Sequence, residues 1–427
     1  MKAVRIILTV LCCCLIAVGL FSVIGYELSY KYDVPTVQAP STPSLSQKPE
    51  ASVQEEGQTG QTEQEEETAS SQQEIVESGY PEYSERALKL LSGMTLEQKV
   101  YQLFFVTPES ITGVEAATRA GDATREALMN NPVGGLLYDA KNLEDTKQVT
   151  DLLNGTQRFL TEGDKIPAFL AIDEEGGEIS PVANALDTAS FAPIGTLEPS
   201  QASALGGDIA EDLKELGFNT NFAPIADLSD ATGNPAIGTR SFGTDSAQTA
   251  TCVADAVRAA QKEGIAACVS HFPGIGTLNN LAHNTRSPLE RSMEELTEEE
   301  LRPFRTAMNE NVAFVMVSHC IMSAVDDQHI ASMSQSVMKY LRETMRYGGI
   351  ILTDVLNAPI ITEQYSSGAA AVNAIKAGAD MLLCPQDLDE AVEGILNAVD
   401  GGSLTEERIN ESVLRILEAK LAFRIAE

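Results

Sequence analysis

The chain has 427 residues, 43% of them hydrophobic, enough to bury a sizeable core. Asp and Glu outnumber Lys and Arg by 62 to 29, and the resulting formal charge of −33 opposes nucleic acid and anionic membrane surfaces as partners. Trp is absent, which argues against the broad aromatic platforms of polysaccharide subsites and leaves room for a small sugar pocket.

Lys2 and Arg5 precede an apolar run from Ile6 to Gly25, about the length that spans a bilayer. The Phe21–Tyr26 stretch is a poor match to a small-residue cleavage site, so residues 1–30 read as an uncleaved signal anchor. The basic end then lies inside and the remainder of the chain outside the cell membrane. Cys12, Cys13 and Cys14 lie within this run, and Leu11 before them spoils a lipoprotein signal. Residues 31–79 are rich in Pro, Ser, Thr, Gln and Glu and form an expected disordered acidic linker, because such a composition buries too little apolar area to fold. Cys252, Cys268, Cys320 and Cys384 sit mostly among apolar neighbours and read as small core residues.

From Tyr80 onward, over residues 80–427, apolar runs alternate with amphipathic ones. Eight runs suit strands: Val100–Thr107, Val133–Tyr138, Ala168–Asp173, Phe218–Ala226, Ile265–His271, Ala313–His319, Gly349–Asp354 and Asp380–Cys384. Helical spacing marks Ala202–Leu216, Ala247–Glu263, Glu298–Asn309, Ser336–Met345, Asp387–Val399 and Glu406–Arg424. Alternation of this kind implies parallel strands, and eight units imply a (β/α)8 TIM barrel within the α/β class. A doubly wound open sheet is the other architecture the pattern admits.

In such a barrel, active groups sit at the carboxyl ends of the strands. That selects Asp173, Asn221, Asp227, His271, His319 and Asp354. Pro273 and two glycines end the fifth strand just after His271, and a polar loop beyond carries His283. A strand-end histidine and a loop histidine suit proton transfer near neutral pH, although His271 reads equally as a hydrogen-bonded structural residue. Asp354 leaves an apolar strand and suits a nucleophile, a metal ligand or a buried ion pair. Retaining glycoside cleavage needs one ionised carboxylate and one proton donor, roles that Asp354 and His283 fit. The fork of Arg240 suits sugar hydroxyls or a surface ion pair. Asp173 suits two sugar hydroxyls or the capping of the glycine turn after it, and Glu174 and Glu175 are further candidate acids.

Several motifs in order resemble glycoside hydrolase family 3, in its single-domain β-N-acetylhexosaminidase form. The third strand, Ile172 to Ile179, resembles I-D-Q-E-G-G-R-V. Asn221–Asp227 resembles N-F-A-P-V-x-D, Asn234–Gly243 preserves N-P-x-I-G-x-R-S-F-G, Ser270–Gly276 resembles K-H-F-P-G-H-G, Pro303-Phe304 matches P-F, and Thr353–Leu356 resembles S-D-D-L. The resemblance covers Ala87 to Leu421. It implies a (β/α)8 barrel, a retaining mechanism, Asp354 as nucleophile and His283 as acid/base. It also implies that Asp173, Arg240 and His271 hold a non-reducing N-acetylglucosamine unit, with Ser270 where the family has a sugar-contacting lysine. No metal and no other cofactor is implied.

The chain departs from the family pattern at Ser270, at Ile275 for the second histidine of H-G, at Glu178 for an arginine, and at Leu281 for the aspartate that orients the loop histidine. The expectation is a membrane-tethered, extracytoplasmic enzyme acting on N-acetylglucosamine-containing cell-wall fragments or glycoconjugates. The alternative is a catalytically impaired barrel that binds a surface glycan or a protein. A metal hydrolase built on His271, His319 and Asp354 lacks the His-x-His pairs such a site would want.

Overall fold

The computed structural model describes residues 78–163, 165–186, 197–230, 232–278 and 286–426. The expected anchor and all but the last residues of the linker lie outside these residues, as do Leu281 and His283. Among the described residues no helix is long and apolar enough to cross a membrane.

Eight parallel strands close into a barrel: β1 (Phe104–Val106), β2 (Gly135–Leu137), β3 (Phe169–Ile172), β4 (Thr220–Asn221), β5 (Ala266–Phe272), β6 (Phe314–Val317), β7 (Ile350–Val355) and β8 (Met381–Leu383). Neighbours in the chain are neighbours in the barrel, and β8 returns to pair with β1, Phe104 opposite Leu382. That closing pair rules out the open sheet. Every apolar run expected to be a strand contributes one; six lie within their expected bounds, and β5 and β7 start one residue later and run one residue further than expected, to Phe272 and Val355. The first begins later than expected, because Thr95 and Gln98 cap each other reciprocally and start the helix Leu96–Gln102. The fourth shortens to two residues beside Pro224, which has no N–H to give to a ladder.

The helices coat the barrel with one apolar face each. Pro199–Leu216 buries Leu205, Ile209, Leu213 and Leu216, and ends at Gly217, whose φ of 102° suits glycine. Ser246–Lys262 starts where Asp245 accepts the amides of Ala247 and Gln248. The expected helix at Ser336–Met345 is Gln335–Lys339 passing into a π-helical turn, Tyr340–Thr344. The last helix, Glu406–Ala422, closes the chain.

Inside the barrel, Phe105, Phe169, Phe222 and Phe314 meet edge-on or stacked, with centroids 5.0 Å apart for Phe169 and Phe314 and 5.1 Å for Phe105 and Phe222. Burial of each ring contributes about 2–3 kcal/mol. Below them Lys420 Nζ donates to Gln102 Oε1 at 2.7 Å and lies 5.1 Å from the Phe169 centroid. Burial pushes its pKa well below the ordinary lysine value. Cys252, Cys268, Cys320 and Cys384 are buried free thiols, as their apolar neighbours implied.

Candidate active site

Because the strands are parallel, the ends of β3, β5 and β7 lie on one rim, and they bring Asp173, His271 and Asp354 there. Asp173 leaves β3 into a turn made by Gly176 and Gly177, both at positive φ, where the amides of Glu175 and Gly176 bond the Ile179 carbonyl. Its carboxylate is half-buried and accepts no hydrogen bond among the described residues. Burial, then the nearby Glu175 charge, push its pKa up to about 7, against the opposing pull of Arg240 and His271. An acceptor placed in this way is suited to hydroxyl donors from outside the protein.

Arg240 ends a single 3-10 turn, Gly238–Arg240. Its Nε and Nη2 donate to the two oxygens of Glu175 at 2.8 and 2.6 Å, and its Nη1 donates to the Ala236 carbonyl at 2.7 Å. Glu175 is almost wholly buried, so this is a preorganised, two-pronged pair rather than the surface ion pair that composition allowed. Glu175 is therefore the residue that aims the guanidinium. Glu174 is engaged as well: its carboxylate accepts the Val182 amide at 2.7 Å, and burial pushes its pKa up to about 7. Both are committed to holding neighbours, which corrects their reading as candidate acids. The loop that carries Arg240 is tied to the one after β5 by Asn234, which donates to the Ile275 carbonyl at 2.8 Å.

His271 Nδ1 lies 2.8 Å from Asp227 Oδ2. Asp227 is fully buried and also accepts the backbone amides of His271, at 3.1 Å, and Ile275, at 2.6 Å. Burial alone would lower the imidazole pKa, but the Asp227 hydrogen bond and charge outweigh it, and the value stands above the ordinary 6.5. With Nδ1 held as the donor, Nε2 is left as the ring's other polar atom, without a partner among the described residues. The sequence placed Asp227 on the rim; its function as the orienting carboxylate of His271 had no signal beyond its motif.

Asp354 is buried near the end of β7, where Oδ1 accepts the Val355 amide at 2.7 Å. Its charge is one of those that raise the His271 pKa, so the two share the rim electrostatically. Ser270 is buried beside His271, and its carbonyl accepts the Ala226 amide at 2.7 Å. His319 is engaged at both ring nitrogens, 2.7 Å from Ser332 Oγ and 2.9 Å from the Val355 carbonyl. It is a buried structural histidine, which removes it from the metal reading. Among the described residues no group of three or more His, Cys, Asp or Glu is arranged to hold a metal ion.

A closed eight-stranded parallel barrel with Asp173, Arg240, His271 and Asp354 at its carboxyl rim defines a (β/α)8 barrel of the class that places its polar site at the strand ends. Residues 95–419 match the model of the glycosyl hydrolase family 3 N-terminal domain, about three quarters of the sequence, and the chain belongs to glycoside hydrolase family 3. It is 26% identical over 325 residues to beta-hexosaminidase A of Pseudoalteromonas piscicida, covering 69% of this chain and 54% of that protein. It is 26% identical over 317 residues to beta-hexosaminidase LpqI of Mycobacterium tuberculosis, covering 70% of this chain and 79% of the other. A family 3 β-N-acetylglucosaminidase from Paenibacillus superposes with a TM-score of 0.73 at 33% identity, over 78% of this chain and 63% of its own. The chain thus spans less than two thirds of the Pseudoalteromonas and Paenibacillus proteins.

Proposed function

We propose that the chain is a retaining β-N-acetylhexosaminidase that removes a non-reducing N-acetylglucosamine unit from cell-wall fragments or glycoconjugates. The observation that carries this reading is the half-buried Asp173 carboxylate, short of donors, beside a guanidinium held fast by Glu175 and an imidazole held fast by Asp227, with the Asp354 carboxylate on the same rim. Acceptor, fork and ring nitrogen together suit the hydroxyls of one sugar ring. The names of the beta-hexosaminidase relatives and of the Paenibacillus β-N-acetylglucosaminidase favour an N-acetylhexosamine as that ring.

In this mechanism the Asp354 carboxylate attacks the anomeric carbon as the glycosidic bond breaks, and His283 gives its proton to the departing oxygen. The glycosyl–Asp354 ester is then cleaved by a water whose proton returns to His283. Leu281 leaves that histidine without the aspartate expected to orient it, a loss that costs orders of magnitude in other imidazole catalysts. A chromogenic β-N-acetylglucosaminide assay tests the reading. Asp354→Ala should lower turnover by about a thousandfold or more with the fold intact. Leu281→Asp should raise kcat at least about tenfold. Measurable sugar binding without turnover in the wild type would favour the impaired binding module instead.

We further propose that the apolar run at Ile6–Gly25 tethers the barrel outside the cell membrane. Membrane fractionation of the full chain tests this: release into the soluble fraction without detergent would overturn it.

A further inference from the structure

The barrel face opposite the rim carries a second concentration of charge. Asp380, fully buried one residue before β8, accepts the Ile351 amide at 3.0 Å and Ser412 Oγ at 2.7 Å. It also pairs with Arg342 at 2.5 Å and Arg415 at 3.1 Å. A third guanidinium, Arg408, donates to Ser412 Oγ and to the Ala379 carbonyl, both at 2.7 Å. Arg342 is held further by the carbonyls of Tyr347 and of Gly349, the latter at 2.8 Å. Three guanidiniums are thus fixed around one carboxylate. Burial, with Arg415 and Arg408 close by, brings Arg342 down to about 10 despite the Asp380 charge.

Beside these groups opens a cavity of about 360 Å³. Arg342, Arg408 and Arg415 line it, and the exposed Lys339 and Lys376 stand at its edge. Two carboxylates, Glu343 and Glu411, also line it, and Lys339 pairs with Glu343 at 3.5 Å. Counting Asp380 behind the wall, the cations exceed the carboxylates by two. That excess occurs in a chain whose formal charge is −33, so the cavity runs against the surface as a whole. Rigid guanidiniums match the oxygens of a phosphate in pairs, and holding them in advance lowers the cost of binding. The volume exceeds that of a bare phosphate and lies within the range of small-molecule pockets.

We propose that this cavity binds a phosphate-bearing small molecule, at a site separate from the catalytic rim. Isothermal titration calorimetry with inorganic phosphate and with glucose 6-phosphate, at ionic strength held constant with sodium chloride, tests it. The expected result is saturable binding of at least one of the two, weakened at least tenfold in Lys339→Glu/Lys376→Glu. Both positions are exposed, so the variant should fold, and Lys376→Gln serves the same comparison if it does not. A hexose phosphate that binds at least tenfold tighter than phosphate identifies an organic phosphate as occupant; comparable affinities identify free phosphate. No saturable heat with either anion, or equal affinity in wild type and variant, would overturn the proposal.

Discussion

At the scale of single residues, two buried carboxylates do the positioning. Asp227 holds the His271 ring by Nδ1, and Glu175 holds Arg240 by two prongs. The protonated His271–Asp227 pair adds stability that is fully present below the unfolded imidazole pKa near 6.5 and is lost as pH rises through the higher folded value. Asp227→Asn should therefore lower the His271 pKa by about one unit or more, read by NMR titration of the ring. Glu175→Gln leaves a partly buried guanidinium with half a partner. It should cost about 2–4 kcal/mol in urea unfolding and raise KM more than it lowers kcat, because in the proposed mechanism the fork holds the sugar without entering the chemistry.

At the scale of elements, the loops after the strands are stitched to one another rather than left free. Asn234 bonds the Ile275 carbonyl, Asn221 and Glu174 exchange hydrogen bonds at 2.8 and 2.9 Å, and the Ser241 hydroxyl donates to the Asp227 carbonyl at 2.6 Å. The glycines after β5 make this stitching possible. A Cβ on Gly276 would lie 2.0 Å from the Leu228 carbonyl oxygen, and Gly274, at φ 113°, would press one within 2.8 Å of Glu300 Cβ. Backbone cannot give way as a side chain can. Gly276→Ala should cost about 3 kcal/mol or more by chemical denaturation and disturb His271, three residues before Gly274.

At the scale of the whole molecule, pH acts through buried acids and through net charge in the same direction. Asp173 and Glu174 hold protons up to about pH 7 when folded, whereas unfolded carboxyls release them near 4. Their raised values mean stability present below about pH 4 and lost as pH rises through about 7. The charge of −33 adds self-repulsion that also grows with pH. Melting temperature should fall between pH 5 and pH 8, and Asp173→Asn with Glu174→Gln should flatten that slope by roughly 2 °C per carboxyl. An unchanged slope in the double variant would mean that neither acid is perturbed.

The alternation of apolar runs and amphipathic stretches is enough to read eight parallel strands, because strand and helix periods are local properties of the chain and the handedness of each crossover is nearly obligatory. Strand ends then select Asp173, His271 and Asp354 without coordinates. Which polar group serves which is another matter, since hydrogen bonding joins residues far apart in sequence. Asp227 and His271 are 44 positions apart, and Glu175 and Arg240 are 65. Spacing could nominate Glu174, Glu175 and His319 for chemistry. Only the packed barrel shows Glu174 bound to a helix start, Glu175 to a guanidinium, and His319 to a hydroxyl and a carbonyl, because closure of the barrel decides which buried groups find partners inside the protein and which are left to meet a ligand.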